Sequence, residues 1–386
     1  MKKHDQDFMK RQNRLTVFQI IKNEQPVSRA SIAKQTGMSP TTVSRIVSEL
    51  MEEGYVHETE EQASAGRGRK SSLIQLLDTA VISIGVELDR YQVNIGFIDV
   101  QGNVMCSGSF PRTSDEAAEA TLLRIAETIN GLIRDCDIDS KRIVGIGVGL
   151  PGIIDVAVGV VNFSVQLGWK NVRLAERLKE LTGFHAIVDN ELKVKALAEQ
   201  LKGSAFGSNR TVLLGFGNGV GSALILQGEI YRGVTNSAGE IGHTTVDPEG
   251  MMCDCGKAGC LQTYINIPSL LSEANKIKPV RTIEELFEER RNGTRWASYL
   301  IDRALAYMAI TINNVVSMYN PDSVILSGEI LDKFPEVYEE ITSLCYSKYI
   351  WEPLHDSFTI VRSKLHEHGV IIGSGLIAQD RYFQLN

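Results

Sequence analysis

Residues Gly239–Thr263 read GEIGHTTVDPEGMMCDCGKAGCLQT, and the rest of the chain is organised around them. Glu240 and His243 come first, then Cys253, Cys255 and Cys260 within eight residues. Three thiols and an imidazole make a tetrahedral ligand set that suits zinc. Gly256 and Gly259 fall among the cysteines, where a tight loop needs residues that tolerate unusual φ/ψ. Three free thiols in a flexible loop are the plainer explanation. Thiols this dense, in a chain with only six cysteines, point instead to a metal. Four protein ligands close the shell, so the zinc is expected to be structural and to take no part in catalysis.

The other cysteines, Cys106, Cys136 and Cys345, are scattered and suggest no disulfide framework; a reducing cytoplasm is the expected setting. At 386 residues the chain is long enough for two or three domains. Its 43% apolar and 23% charged content is that of soluble globular protein. No apolar run reaches the roughly 18–20 residues that span a bilayer. The opening MKKHDQDFMKRQ has no apolar stretch of the secretory type. The net charge of −7 is uneven: residues 1–76 hold twelve Lys and Arg against nine Asp and Glu. A basic head on an acidic body fits a nucleic-acid-binding N-terminus.

The head has the matching pattern. Asn13–Asn23 places Leu15, Val17, Phe18, Ile20 and Ile21 near helical spacing. Ser28 is placed to cap a second helix that Gly37 ends. Ser39-Pro40 then reads as N-cap and N1 of a third helix running to about Glu53. Val43, Ile46, Val47, Leu50 and Met51 form its inner face. The opposite face, with Ser39, Thr41, Thr42, Ser44 and Arg45, is predicted to enter a DNA major groove. Beyond Gly54 the pattern is strand, loop, strand. The loop tip carries Arg67, Arg69 and Lys70 between glycines, a basic wing able to reach phosphates or a minor groove.

The body predicts two similar α/β lobes. AVISIGVELDRYQVNIGFIDVQGNVMCSGSF, from residue 80, and RTVLLGFGNGVGSALILQGEIYRG, from residue 210, both read as three strands with tight turns. Each is followed by helices and further strands, as a duplication with a cleft between the copies would give. The last long helix is expected at about Tyr299–Tyr319.

Glu-x-Gly-His followed by Cys-x-Cys-Gly-x-x-Gly-Cys resembles the signature of the ROK family of repressors, open reading frames and sugar kinases. The winged head resembles that of ROK repressors, so the likeness covers the whole chain. It implies a mainly α winged helix-turn-helix head on an α/β body of two actin-like, ribonuclease-H-like lobes of the sugar-kinase type. The expected division is a head at 1–76, a first lobe at 77–190 joined by a C-terminal helix at about 366–386, and a second lobe at 191–365. The resemblance also implies that Glu240 and His243 contact a bound sugar. The family usually has a sugar-contacting Glu where this chain has Gln262. Gln262 can donate as well as accept, unlike a carboxylate, so it is expected to select a different hydroxyl orientation.

Two departures bear on catalysis. ROK kinases carry a Gly-Ile-Asp-x-Gly-Gly-Thr type run at the end of the first strand, where backbone N–H groups approach phosphate. Here it reads Gly85-Val86-Glu87-Leu88-Asp89-Arg90-Tyr91. The second glycine turn is partly present as Gly217, Gly219 and Gly221. The kinases' catalytic Asp follows an Asn. The corresponding pair here is Asn190-Glu191, as in xylose-repressor-like members of the family. Both residues suit a sugar site, and both suit the cap of the next helix. A base displaced by about 1 Å costs around 10²-fold in rate, so kinase activity is not expected. Trp169 suits either a sugar-stacking role or lobe packing, and Asp155 reads as a turn residue. No partner is evident for His57, His185, His355, His366 or His368.

The expected function is a cytoplasmic repressor acting as a homodimer or tetramer. It binds a palindromic double-stranded operator, responds to a sugar in the cleft, and has no membrane partner. The alternatives are an active sugar kinase with a DNA-binding head, and a repressor controlled by a protein partner.

Overall fold

The computed structural model describes residues 2–62, 72–113 and 115–385. The head comprises α1 (Lys2–Glu24), β1 (Val27–Ser28), α2 (Arg29–Thr36), α3 (Pro40–Glu52), β2 (Val56–Gln62) and β3 (Ser72–Leu76). Helix α1 begins well before Asn13. The segment ahead of Asn13 is polar and shows no apolar period, but it holds neither Gly nor Pro to stop a helix. Ser28 Oγ accepts from Ser31 N at 3.1 Å, and Gly37 ends α2 with φ 68°. That left-handed φ suits glycine. The strands pair in the order β1-β3-β2. Val17, Phe18, Ile21, Ile32, Val43, Ile46 and Leu50 form the head's core, as the helical spacing predicts.

The first lobe runs β4 (Ile82–Leu88), β5 (Gln92–Ile98), β6 (Val104–Pro111), α4 (Ala118–Asp135) and β7 (Ile143–Leu150). It continues through β8 (Ile153–Asp155), β9 (Val160–Ser164), β10 (Trp169–Val172), α5 (Leu174–Thr182), β11 (Ala186–Asn190) and α6 (Glu191–Lys202). The second lobe begins with β12 (Arg210–Phe216), β13 (Val220–Leu226) and β14 (Glu229–Tyr231), followed by α7 (Gln262–Ile265), α8 (Ile267–Asn275), α9 (Ile283–Arg291) and α10 (Arg295–Tyr319). Then come β15 (Ser323–Ser327), α11 (Glu329–Lys333), α12 (Pro335–Leu344), β16 (Thr359–Arg362) and finally α13 (Gly369–Leu385).

The two five-stranded sheets share one plan. Their orders are β11-β7-β4-β5-β6 and β14-β13-β12-β15-β16. In each, three antiparallel strands form a meander and two more join in parallel. Parallel neighbours need a crossover of a dozen or more residues, and the helices supply it. The small sheet β10-β9-β8 is an addition to the first lobe that the sequence does not announce.

Helix α13 returns from the end of the chain to the first lobe. A Cβ on Gly85 would lie 1.9 Å from Ile371 O, and one on Gly147 would lie 1.8 Å from Ser374 O. Glycine at both positions lets the helix backbone rest on the sheet. At its far end Phe383 packs on Phe18, with ring centroids 5.0 Å apart, so the helix also enters the head's core. Arg142 of the body donates to Glu53 O at 2.8 Å and lies 4.9 Å over the Tyr55 ring. The head is thus packed on the body.

One expectation is corrected. Cys106 on β6 and Cys136 at the end of α4 form a disulfide, with Cα atoms 6.5 Å apart. Thirty residues separate them, and only the packing of α4 against the sheet brings them together. Among the described residues, no helix is long and apolar enough to cross a membrane.

Candidate ligand cleft and metal centre

The ligand atoms of His243, Cys253, Cys255 and Cys260 all lie within 4.8 Å of one another. Cys253 Sγ is 3.7 Å from His243 Nδ1, and Cys255 Sγ is 3.6 Å from Cys260 Sγ. A tetrahedral ion with metal–sulfur bonds of about 2.3 Å needs ligand atoms roughly this far apart. The donors therefore fit a metal. Nδ1 is the ring nitrogen facing the cluster, which leaves Nε2 for other partners.

The loop is built to hold this shape. Cys253 N donates to Lys257 O at 2.8 Å, and Gly256 N to Cys253 O at 2.8 Å. Gly259 has φ 67°, and a Cβ there would meet Asp247 O at 1.5 Å. The short turn Ile241–His243 ties the first motif to the cluster.

Between the lobes lie two adjoining compartments of about 620 and 800 Å³. The smaller is lined by Glu87, Asp89, Asn190, Glu191, Gly217 and Gly219 among others. The larger is lined by His243, Cys253 and Gln262. Glu240, Gln166 and Asn218 face both. The five expected sugar contacts are therefore divided: Asn190 and Glu191 on one side, His243 and Gln262 on the other, Glu240 between them.

Asn190 is largely committed to structure. Its Oδ1 accepts from Leu192 N at 3.1 Å and Lys193 N at 3.4 Å, capping α6, and its Nδ2 donates to Gly152 O at 3.3 Å. Glu191 opens α6. Burial holds its carboxyl well above the usual range, and the nearby Asp89 and Glu87 charges add to the effect. Burial also raises Glu240, against the pull of His243 and Lys193. Glu87 is pushed up to about 6 by burial, although Asn94 Nδ2 donates to it at 2.9 Å. Asp89 is raised by burial as well.

A network behind Glu191 is not visible as a motif in the sequence. Asp189 is fully buried and pairs with Arg232 at 2.5 Å. Lys193 Nζ donates to Asn236 O and to Asn236 Oδ1, and Asn236 Nδ2 donates to Ile154 O at 3.1 Å. These contacts join the loop before Glu240 to both β11 and the small sheet. His366 Nδ1 lies 3.0 Å from Asp332 Oδ1 at the rim. Trp169 is buried in the first lobe's core, with the Arg112 guanidinium 5.6 Å over its ring, and does not line the cleft. Asp155 Oδ1 accepts from Ala157 N at 3.1 Å, a turn contact.

On the head, Ser39, Thr41, Ser44 and Arg45 are exposed and Thr42 is half-buried. Ser39 Oγ caps α3 by accepting from Thr42 N at 3.1 Å. Arg45 pairs with Glu49 at 2.6 Å along the helix. Such exposed pairs contribute about 0–1 kcal/mol, so Arg45 can be released to another partner. Strands β2 and β3 frame the wing, while Arg67, Arg69 and Lys70 lie outside the described residues.

Residues 83–381 match the ROK family, and residues 10–57 match winged helix-turn-helix DNA-binding domains. The chain is 26% identical to the xylose repressor of Bacillus subtilis, over 99% of this chain and 98% of that protein. It is 28% identical to the DNA-binding transcriptional dual regulator NagC of Escherichia coli, over 95% and 92%. Among solved structures, a ROK family transcriptional regulator described as a homologue of the E. coli MLC protein has a TM-score of 0.80 at 23% identity and 98% coverage of both chains. With the family match spanning both lobes and a winged head ahead of them, the chain belongs to the ROK family.

Proposed function

We propose that this chain is a DNA-binding transcriptional repressor of carbohydrate-utilisation genes, and that a sugar held between the lobes controls its grip on an operator. The observation that carries the proposal is the course of α13. Val370, at its start, lines the smaller compartment; Phe383, near its end, lies in the head's core. Seventeen residues span about 26 Å. A shift of the lobes at one end therefore reaches the base of the head at the other. The full-length likeness to a xylose repressor supports the same reading.

Sugars present hydroxyls, so Glu191 and Glu240 serve as acceptors. Charge-assisted bonds of this kind are the stronger sort. Such donors favour the ionised carboxylates and so offset the burial that raises them. His243 Nε2 and Gln262 complete the contacts, while Asn190 mainly orders α6. We assign zinc to the cluster of His243 and the three cysteines. The ion braces the loop that carries Glu240 and supplies no reactive position.

On DNA, Thr41, Ser44 and Arg45 read base edges, Ser39 and Thr42 hold the start of α3, and Arg67, Arg69 and Lys70 reach phosphates. A homodimer presents two heads to a palindromic site, and sugar binding changes their spacing. The cytoplasmic setting follows from the DNA-binding role. The cysteines do not argue for it, since disulfides are uncommon there.

The test is a thermal-shift screen of monosaccharides and polyols on the full chain, paired with operator release. A sugar at 100 times its Kd stabilises the fold by roughly 2.7 kcal/mol. At least one should raise the melting temperature and weaken operator binding. If no sugar does either, the proposal is wrong.

A further inference from the structure

Gln262 opens α7 two residues after Cys260, and its side chain reaches back across the metal loop. Its Nε2 lies 3.1 Å from Cys253 Sγ. Only one orientation of the amide suits this contact. A metal-bound thiolate has no proton and acts as an acceptor, so the amide NH₂ must face it and Oε1 must face away. Cys253 is 6% exposed, so little water competes for the sulfur. Gln262 also lines the larger compartment beside Glu240 and His243.

We infer that Gln262 is a positioning residue for the metal centre, its amide donating to the metal-bound sulfur of Cys253. This rests on the zinc assignment proposed above. It also revises the expectation that Gln262 offers both a donor and an acceptor to the ligand. With the donor held by sulfur, Oε1 is what remains for a hydroxyl. A carboxylate at this position could not make the contact, because it would set a second negative charge against the thiolate. The exchange of the usual family Glu for Gln thus changes how the ligand wall and the metal loop are joined.

The test uses the full-length, zinc-loaded protein and zinc alone as the probe. Gln262→Met keeps the side-chain length and removes the donor; Gln262→Glu replaces the donor with a like charge. Zinc transfer to a colorimetric chelator should become roughly 10–100-fold more favourable in both, as for other groups that orient metal ligands. The effect should be larger for Gln262→Glu. In cobalt-substituted Gln262→Met the sulfur-to-cobalt charge-transfer band should also shift while the far-UV circular dichroism stays that of wild type, which a purely structural role would not produce. Should Gln262→Glu fail to fold, Gln262→Met decides the matter. Wild-type protein that takes up one zinc per chain, with variants that hold it equally well and an unmoved band, would overturn the inference and leave the zinc assignment standing. Wild-type protein that binds no zinc would remove that assignment, and this inference with it.

Discussion

The two lobes turn the same hairpin with different chemistry. Between β12 and β13 the chain passes through Gly217, Asn218 and Gly219, all of which line the cleft. Between β4 and β5 it passes through Asp89, Arg90 and Tyr91. There Asp89 points into the cleft, and the Arg112 guanidinium draws the carbonyls of Asp89 and Arg90 toward itself at 3.4 and 3.0 Å. A duplicated topology has kept the strand plan in both halves and an open glycine turn in one. Phosphate held between lobes needs close-approaching backbone donors from both turns. Asp89 stands in the first turn instead, where it lines the cleft.

The largest expected consequence is catalytic. ATP hydrolysis in the presence of sugars should stay far below the ordinary enzyme range of about 1–10³ per second. Asp89→Gly with Arg90→Gly should not restore it, because Glu191, one methylene longer than the kinases' catalytic Asp, remains. A coupled assay showing ordinary turnover by the wild-type chain would erase the contrast between the turns and favour a kinase.

The contrast extends to what covers each first strand. A methyl on Gly85 meets the Ile371 carbonyl oxygen, part of the α13 backbone. A methyl on Gly215 of β12 meets the Leu192 side chain at 2.8 Å. Backbone cannot step aside as a leucine can. Gly85→Ala should therefore cost about 3 kcal/mol in denaturant unfolding and Gly215→Ala about 1 kcal/mol. Gly85→Ala should also weaken operator binding, since α13 carries Phe383. Equal costs would show that α13 does not press on the sheet.

A smaller effect follows from Glu87 near the end of β4, since β12 carries no carboxylate. Its folded-state value of about 6 lies above the ordinary 4.5. Between those values the folded chain holds a proton that the unfolded chain has lost. Stability therefore falls as pH rises through this window. Glu87→Gln should be stabilising by roughly 1–2 kcal/mol above pH 6 and neutral below about pH 4.5. A stability gain that does not vary with pH would contradict burial of this carboxyl.

Much of this molecule is legible in its residues. Helical spacing in the head and the repeated three-strand pattern in the body predict the elements that form. The density of thiols in 253–260 predicts their convergence with His243. What is not legible depends on contacts between residues distant in sequence. The Cys106–Cys136 bond needs α4 to dock on its sheet. The Asp189–Arg232 pair joins residues 43 apart across the base of the cleft. The course of α13 from cleft to head has no local signal, because a helix face reports that it is buried and not against what. Gln262 illustrates the same limit: its position suggested a ligand contact, and only the folded loop places its amide on sulfur.

The central claim is that a sugar between the lobes acts on the operator through the body. The most direct measurement is an operator-binding titration with increasing sugar, comparing wild type with Glu240→Ala. Both should bind operator equally well without sugar. The variant's half-effective sugar concentration should rise by at least about tenfold, the loss of a hydrogen bond to a charged group. An unchanged half-effective concentration would place the effector elsewhere and rule out control by a sugar held at Glu240.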